Sequence, residues 1–381
     1  MTIILFFISW LVVFLSSLTK KPTPVISIGF ALLLAILFAF IPVATTPMDT
    51  EVYQRYFNNP TLVSPTFEPG YVAFQHFISS LGLDYWQFRF LIAVIGFSTY
   101  FILLHRMKVE TNFFWALYPI VPFIEDTIQL RNYLMLAFMI LAAAFLMPKR
   151  HLFWSLFFGV VGISFQSSGV FMFLGIFMYF IWPKEKLRNA ILVVAGISFL
   201  LMTVPLINRG ITHVFSILDL TSVAGDLSEK AESYLTRGAL NKIVFADSLY
   251  GVLNMLIFFK LTTTLKKETE LTDTNYLQLR VIGSFMSTAI LILPFLTIAY
   301  NFDRITKNSF IFFIAFMAFV TMKLKRTTYK LYWGLIVITF LYVGGYFVAY
   351  YLLASNNRYL LEVLPIFTQN TFWQYLHGMI Q

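Results

Sequence analysis

Apolar runs nearly free of Asp, Glu, Lys and Arg recur along the chain. They lie near 2–19, 24–43, 88–104, 111–124, 131–147, 151–165, 168–182, 189–206, 245–264, 280–299, 308–322 and 331–351. A helix crossing a bilayer needs roughly 20 apolar residues, fewer where protein shields it. The pattern therefore predicts an all-α, polytopic membrane bundle of about twelve spans with outward-facing loops. The run at 111–124 is short for a span. The 33 residues of 151–183 hold no Asp, Glu, Lys or Arg, and Gln166-Ser167-Ser168 sits at their middle. Two short helices folded back on a polar turn fit that segment better than one overlong helix. The first run has no basic stretch before it and no small-residue cleavage site ahead of Lys20-Lys21, so it reads as a retained helix rather than a signal peptide.

Composition supports the membrane reading. Apolar residues make up 59% of the chain and charged residues only 12%, where a soluble domain carries about 25% charged. Such a chain cannot cover a water-facing surface. With no cysteine, disulfides, iron–sulfur clusters and thiolate zinc sites are excluded. The net charge of +9 is better read as membrane topology than as affinity for nucleic acid, because cations concentrate in particular connections.

Sorting charges by alternate connections sharpens that point. One set holds 17 cations against five acids, for +12, and the other holds ten cations and thirteen acids, for −3. Cation-rich connections mark the cytoplasmic side, so the amino terminus is expected outside. With twelve spans the carboxyl terminus is outside too. The chain reads as one integral membrane domain, 1–381, whose larger outer segments are 44–87, 207–244 and the tail 352–381. A tight turn is expected at 300–307, and an amphipathic surface helix within 207–244. Mixed acids, aromatic residues and single arginines place the chemistry on the outer side.

The first outer segment is the richest in candidates, with Met48-Asp49-Thr50-Glu51-Val52-Tyr53-Gln54-Arg55-Tyr56 followed by Phe67-Glu68-Pro69-Gly70-Tyr71. On a helix Asp49 and Tyr53 share a face, with Tyr56 close by. Carboxylates accept sugar hydroxyl protons and rings stack on pyranose faces; the plain alternative is a solvated interfacial helix, where tyrosines gather anyway. Asp49 and Glu51 also resemble a weak divalent-cation pair. Arg131 opens an apolar run two residues after Gln129. An arginine entering a membrane helix needs a partner or a ligand, and its planar fork suits a pyrophosphate. Glu125 and Asp126 are the nearby acids that could pair with it. Asp303-Arg304, in the predicted outer turn, offers a second guanidinium with a possible base or counter-ion. Gln166 and Ser167 are polar at or near membrane depth. The five histidines show no metal-ligand spacing, and no phosphate loop or nucleophile elbow is present. The reading names no metal and no cofactor.

Taken in order, Asp49-xxx-Tyr53, Phe67-Glu68-Pro69-Gly70-Tyr71, Ile128-Gln129-Leu130-Arg131-Asn132-Tyr133-Leu134-Met135-Leu136-Ala137, Phe165-Gln166-Ser167-Ser168-Gly169-Val170 and Asp303-Arg304-Ile305 resemble the EpsG family. These are Wzy-like multi-pass proteins of polysaccharide gene clusters. The resemblance is carried mainly by residues 40 to 185. Asn132 stands where the family usually has Gln, Ala137 stands for a shifted alanine, and Gln166 stands where relatives carry His. A glutamine there hydrogen-bonds a sugar or phosphate but is no base.

The resemblance implies a GT-C-like bundle and a polymerase of undecaprenyl-pyrophosphate-linked repeat units, acting at the outer face of the bacterial cytoplasmic membrane. Its partners would be that lipid-linked glycan, membrane lipid, a chain-length regulator and other polysaccharide-assembly proteins. In this reading Arg131 and Arg304 neutralise the leaving diphosphate. Asp49 is the first choice of base, with Glu68 and Asp303 behind it, and Tyr53, Tyr56, Tyr71, Gln129, Gln166 and Ser167 hold glycan. Three other readings stand beside it: a polyprenyl-phosphate-dependent glycosyltransferase, a surface-glycan ligase or acyltransferase, and a lipid-oligosaccharide flippase or transporter. The last is disfavoured by the lack of two matching halves.

Overall fold

The computed structural model describes residues 2–19, 23–42, 48–59, 61–62, 67–147, 151–202, 242–296, 302–325, 329–353 and 359–378, with backbone alone at 48, 49, 202, 242–244, 325, 329, 330 and 361. Among them every regular element is helical. The first half runs α1 (Thr2–Leu18), α2 (Pro24–Ala39), α3 (Met48–Asn58), α4 (Pro69–Ser80), α5 (Tyr85–Met107), α6 (Thr111–Leu117), α7 (Pro122–Ile128), α8 (Leu130–Phe145), α9 (Leu152–Phe165), α10 (Gly169–Ile181) and α11 (Glu185–Met202). After a segment outside the described residues come α12 (Lys242–Glu268), α13 (Asp273–Met286), α14 (Asp303–Lys325) and α15 (Tyr329–Phe347).

Local chemistry starts these helices where it should. Proline occupies the first turn of α2, α4 and α7, where its missing N–H costs nothing. Asp84 with Gln87 and Thr272 with Asn275 form capping boxes on α5 and α13. The same proline chemistry overturns the expected span at 111–124. Pro119 and Pro122 cut it into α6, a 3-10 turn at Tyr118–Ile120 and α7, because neither ring nitrogen can donate to the preceding turn.

Among the described residues, five helices are long and apolar enough to cross a membrane: Tyr85–Met107, Phe245–Glu268, Asp273–Leu296, Asp303–Leu324 and Leu331–Leu353. Shorter apolar helices cover Thr2–Leu18, Pro24–Ala39, Leu130–Phe145, Leu152–Phe165 and Gly169–Ile181. The all-α membrane bundle stands, while the figure of twelve spans is not confirmed helix by helix. The expected hairpin at 151–183 is present, with α9 and α10 meeting at Gln166-Ser167-Ser168.

The segments assigned to the outer side in the sequence take the following forms. The segment 44–87 carries two helices, α3 and α4. Asp303 and Arg304 are not in a turn but form the first turn of α14. The tail folds into short helices at Leu364–Thr368 and Phe372–Leu376, and Thr371 N–H donates to the Phe40 carbonyl at 2.8 Å. The amphipathic helix expected within 207–244 lies outside the described residues but for its last three positions.

Helix α14 is the axis of the bundle, with 94% of its most apolar window buried. Apolar side chains such as Phe7, Leu11, Val25, Phe153, Val160 and Val194 face outward, a surface suited to lipid rather than water. Hydrogen bonds gather the cation-rich connections at one end. Arg106 reaches the Met147 carbonyl, Gln278 the Arg106 carbonyl, and Lys323 the Asn275 amide. At the opposite end Tyr375 donates to Asp84, and α4, α8 and the α9–α10 turn meet.

Candidate functional site

The meeting point is built by Phe67-Glu68-Pro69-Gly70-Tyr71. Pro69 opens α4 and Glu68 sits at its N-cap, yet the Glu68 side chain makes no bond to its own helix. It turns outward instead. A Cβ on Gly70 would fall 2.3 Å from Ser164 Oγ and 2.6 Å from the Ser164 carbonyl oxygen, so only glycine lets α4 lie against the last turn of α9. That contact brings Glu68 within reach of the α9–α10 turn. Tyr71 is fully buried and packs against Tyr53 and Phe67, with centroids 5.6 and 5.4 Å away.

Arg131, in the first turn of α8, completes the site. Its Nη1 donates to Glu68 Oε2 at 2.6 Å and its Nε to the Tyr53 hydroxyl at 3.3 Å. The Phe67 ring lies 4.7 Å from the guanidinium carbon, within cation–π range. The other Glu68 oxygen, Oε1, accepts from the Ser167 backbone N–H at 2.9 Å and from the Ser167 hydroxyl at 3.1 Å. One carboxylate thus joins three segments of the chain. Tyr53, Phe67, Glu68, Tyr71, Arg131 and Ser167 are together, and Tyr56 borders them with its ring 5.1 Å from Phe67. The partner of Arg131 is Glu68, not Glu125 or Asp126 as the sequence neighbourhood suggested.

Those two acids serve elsewhere. Asp126 accepts hydroxyl bonds from Tyr118 and Tyr100 at 2.7 and 3.0 Å. Glu125 belongs to a buried cluster that sequence inspection missed. Lys307 Nζ donates to Glu125 at 3.2 Å and to Asp303 at 2.8 Å, and also bonds the Tyr350 hydroxyl. Tyr351 donates to the other Glu125 oxygen at 3.0 Å, and Gln129 Nε2 donates to Glu125 at 2.9 Å. Nearby, Tyr346 donates to buried Asp247 at 2.6 Å. The i, i+4 spacing of Asp303 and Lys307 was the available signal, as was a lysine at the head of an apolar run. A further buried cation, Arg89, donates to the carbonyls of Phe38, Ala39 and Thr127 and so ties the ends of α2 and α7.

The remaining candidates sort as follows. Asp49 lies on α3 and its side chain is outside the described residues; Glu51 is exposed. Gln129 bridges α7 and α8 and bonds Glu125. Gln166 is buried at the end of α9, and its Oε1 has no hydrogen-bond partner. Arg304 is half-buried on α14, four residues from Asn308 and so on the same face. Asn308 and Asn132 exchange two amide bonds of 3.0 and 2.9 Å. This pair clasps α8 to α14 beside Arg131 and one turn from Arg304. Asp303 is bound to Lys307 rather than open to a ligand. Among the described residues, no three His, Asp or Glu side chains gather to hold a metal.

A profile of the EpsG family matches residues 27–365. The chain belongs to the EpsG family. That family comprises Wzy-type polysaccharide-polymerase-like membrane proteins. No curated protein and no solved structure matches the chain. Several residues that suggested the EpsG family now have physical roles. Phe67 stacks on the arginine, Glu68 pairs with it and Gly70 permits the close approach of α4, while Asn132, a departure from the family pattern, clasps α14.

Proposed function

We propose that this EpsG-family protein joins undecaprenyl-pyrophosphate-linked oligosaccharide repeat units at the outer face of the cytoplasmic membrane. The observation that carries the reading is Arg131, a partly exposed guanidinium held between rings at a shared helix end. Helices α8, α9 and α10, of 16, 14 and 13 residues, rise only about 24, 21 and 20 Å at 1.5 Å per residue. A hydrocarbon core is about 30 Å thick. Helices this short would leave a recess at their shared end, into which the diphosphate of a polyprenyl carrier would reach from the headgroup level.

In the reaction, a hydroxyl on the non-reducing end of the incoming unit attacks the anomeric carbon of the growing chain. The bond from that carbon to the diphosphate oxygen breaks, its electron pair stays on the diphosphate, and the hydroxyl proton passes to a carboxylate. Arg131 and Arg304 neutralise the charge that builds on the leaving oxygens. The Asn132–Asn308 clasp supports their acting together, since it joins the two helices that carry them. Asp49, near Tyr53 on α3, is the proposed base. Glu68 is less suited to that role, because both its oxygens already accept bonds. Tyr53, Tyr56 and Tyr71 would shape the glycan path, with Gln129, Gln166 and Ser167 supplying polar contacts. Aligning two membrane-held substrates supplies much of the acceleration, and single displacement inverts the anomeric centre. Fixed guanidinium charge does the work of a divalent ion here, and EDTA-treated protein should retain activity.

Deleting the protein and recovering the lipid-linked glycan is the test. Single repeat units accumulating on the outer leaflet are expected. The same units held on the inner leaflet would make the protein a flippase instead.

A further inference from the structure

Three donors converge on one carboxylate at the outer end of α8. They are a guanidinium N–H of Arg131, the backbone N–H of Ser167 and the Ser167 hydroxyl. This is a donor set that binds phosphate oxygens well: a charged fork, a fixed main-chain N–H and a rotatable hydroxyl. The anion it holds in this structure is internal. Glu68 gives up capping its own helix to reach across to these donors, and the Gly70 contact holds α4 close enough for it to do so.

We infer that Arg131 and Ser167 form an anion subsite that Glu68 occupies as a displaceable stand-in, and that a phosphate oxygen of the lipid diphosphate takes its place. The inference rests on the polymerase reading and adds the identity of the group Arg131 holds before substrate arrives.

The exchange is physically reasonable on three counts. An arginine inside an apolar bundle without a counter-anion is costly, so the substrate-free protein needs an internal one. The pair is not sealed in: Arg131 and Glu68 are 16% and 17% exposed, and Ser167 is exposed. Because water reaches this pair, a ligand with more charge can reach it too and compete for the same donors. A polyprenyl diphosphate ester carries two negative charges against the single charge of Glu68. Once displaced, the Glu68 carboxylate stands beside the substrate with its oxygens released.

The test is direct binding to purified protein in detergent, measured for wild type, Glu68→Gln, Glu68→Asp and Arg131→Ala. The probes are inorganic pyrophosphate, farnesyl pyrophosphate and farnesol. Glu68→Gln keeps the shape of the side chain but removes the competing charge. A subsite occupied nine-tenths of the time by Glu68 gains about tenfold in apparent affinity when it is vacated. Farnesyl pyrophosphate should therefore bind Glu68→Gln about tenfold more tightly than wild type, Glu68→Asp should fall between, and Arg131→Ala should lose binding. Tight binding of inorganic pyrophosphate equal to that of farnesyl pyrophosphate assigns the site to the phosphate alone; a requirement for the tail assigns it to the lipid. Arg131-dependent binding by wild type with unchanged or weaker binding by both Glu68 variants overturns the inference while sparing the polymerase reading. Binding of farnesyl pyrophosphate that ignores Arg131 overturns both. Should Glu68→Gln fail to fold, the Glu68→Asp comparison still decides.

Discussion

Two sets of paired charges, one at the start of α8 and one at the start of α14, differ in how open they are. Arg131–Glu68 lies at a rim, each side chain about one-sixth exposed, and its carboxylate bonds a turn that is itself open to solvent. Lys307–Glu125–Asp303 is enclosed, with side-chain exposures of 7%, 8% and 3%, and tyrosines complete its hydrogen bonds. The difference is one of exchange. A rim pair can trade one anion for another because water and ligand reach it. An enclosed pair cannot, because opening it strands charge in a low-dielectric interior. The enclosed cluster is therefore best understood as the fixture that holds the α7–α8 junction through Gln129, and the rim pair is the one proposed to exchange its anion for substrate.

The sharpest way to break this comparison is Lys307→Met. It leaves Glu125 and Asp303 buried without their cation and should cost about 3–5 kcal/mol, read as a large fall in the thermal unfolding midpoint in detergent. An unchanged midpoint would put both pairs on the same footing. Gly70→Ala comes next. Its new methyl group meets the Ser164 backbone and should cost about 1–3 kcal/mol as overpacking, with α4 lifting off α9 and the Glu68–Ser167 bonds lost. Wild-type unfolding and wild-type polymer from that variant would show that the close approach is dispensable. Arg131→Lys keeps the positive charge beside Glu68 and should lower folding stability less than Gly70→Ala, while long polymer disappears, since an ammonium cannot reproduce the planar fork. Gels showing normal chain lengths would remove the guanidinium argument. Smallest on stability is Asp49→Asn, which keeps the shape of the side chain and removes only its charge. Polymer yield should nonetheless fall by about 100-fold or more if Asp49 takes the proton; undiminished polymer would send that role elsewhere.

Much of the architecture was legible from spacing. The break at Gln166-Ser167-Ser168 could be read because a polar triplet inside a charge-free run has few places to go in a membrane. The span expected at 111–124 failed for a reason also written locally, in Pro119 and Pro122, which outweigh the hydropathy of the run. Arg131 stood out because a guanidinium at the head of an apolar run demands a partner. Its partner could not be read the same way. Glu125 and Asp126 are near in sequence, but the chain changes direction at Gln129, with φ −104° and ψ 66°. The two acids therefore point to Lys307 and to a tyrosine pair. Arg304 was expected on the same side as Arg131 and lies on the helix that Asn308 clasps to α8, but in a helix rather than a turn.

What the sequence determined alone was the set of elements and their alternation: apolar runs, proline and capping signals, and the two classes of connection. These depend on a residue and its neighbours within a turn or two, a range over which helix geometry fixes who meets whom. The tertiary structure alone decided the pairings across the bundle. Glu68 meets Arg131 across 63 positions, and Asn132 meets Asn308 across 176. Such meetings depend on how close two helices approach, and for Glu68 that was settled by a missing side chain at Gly70, which lets α4 lie against α9.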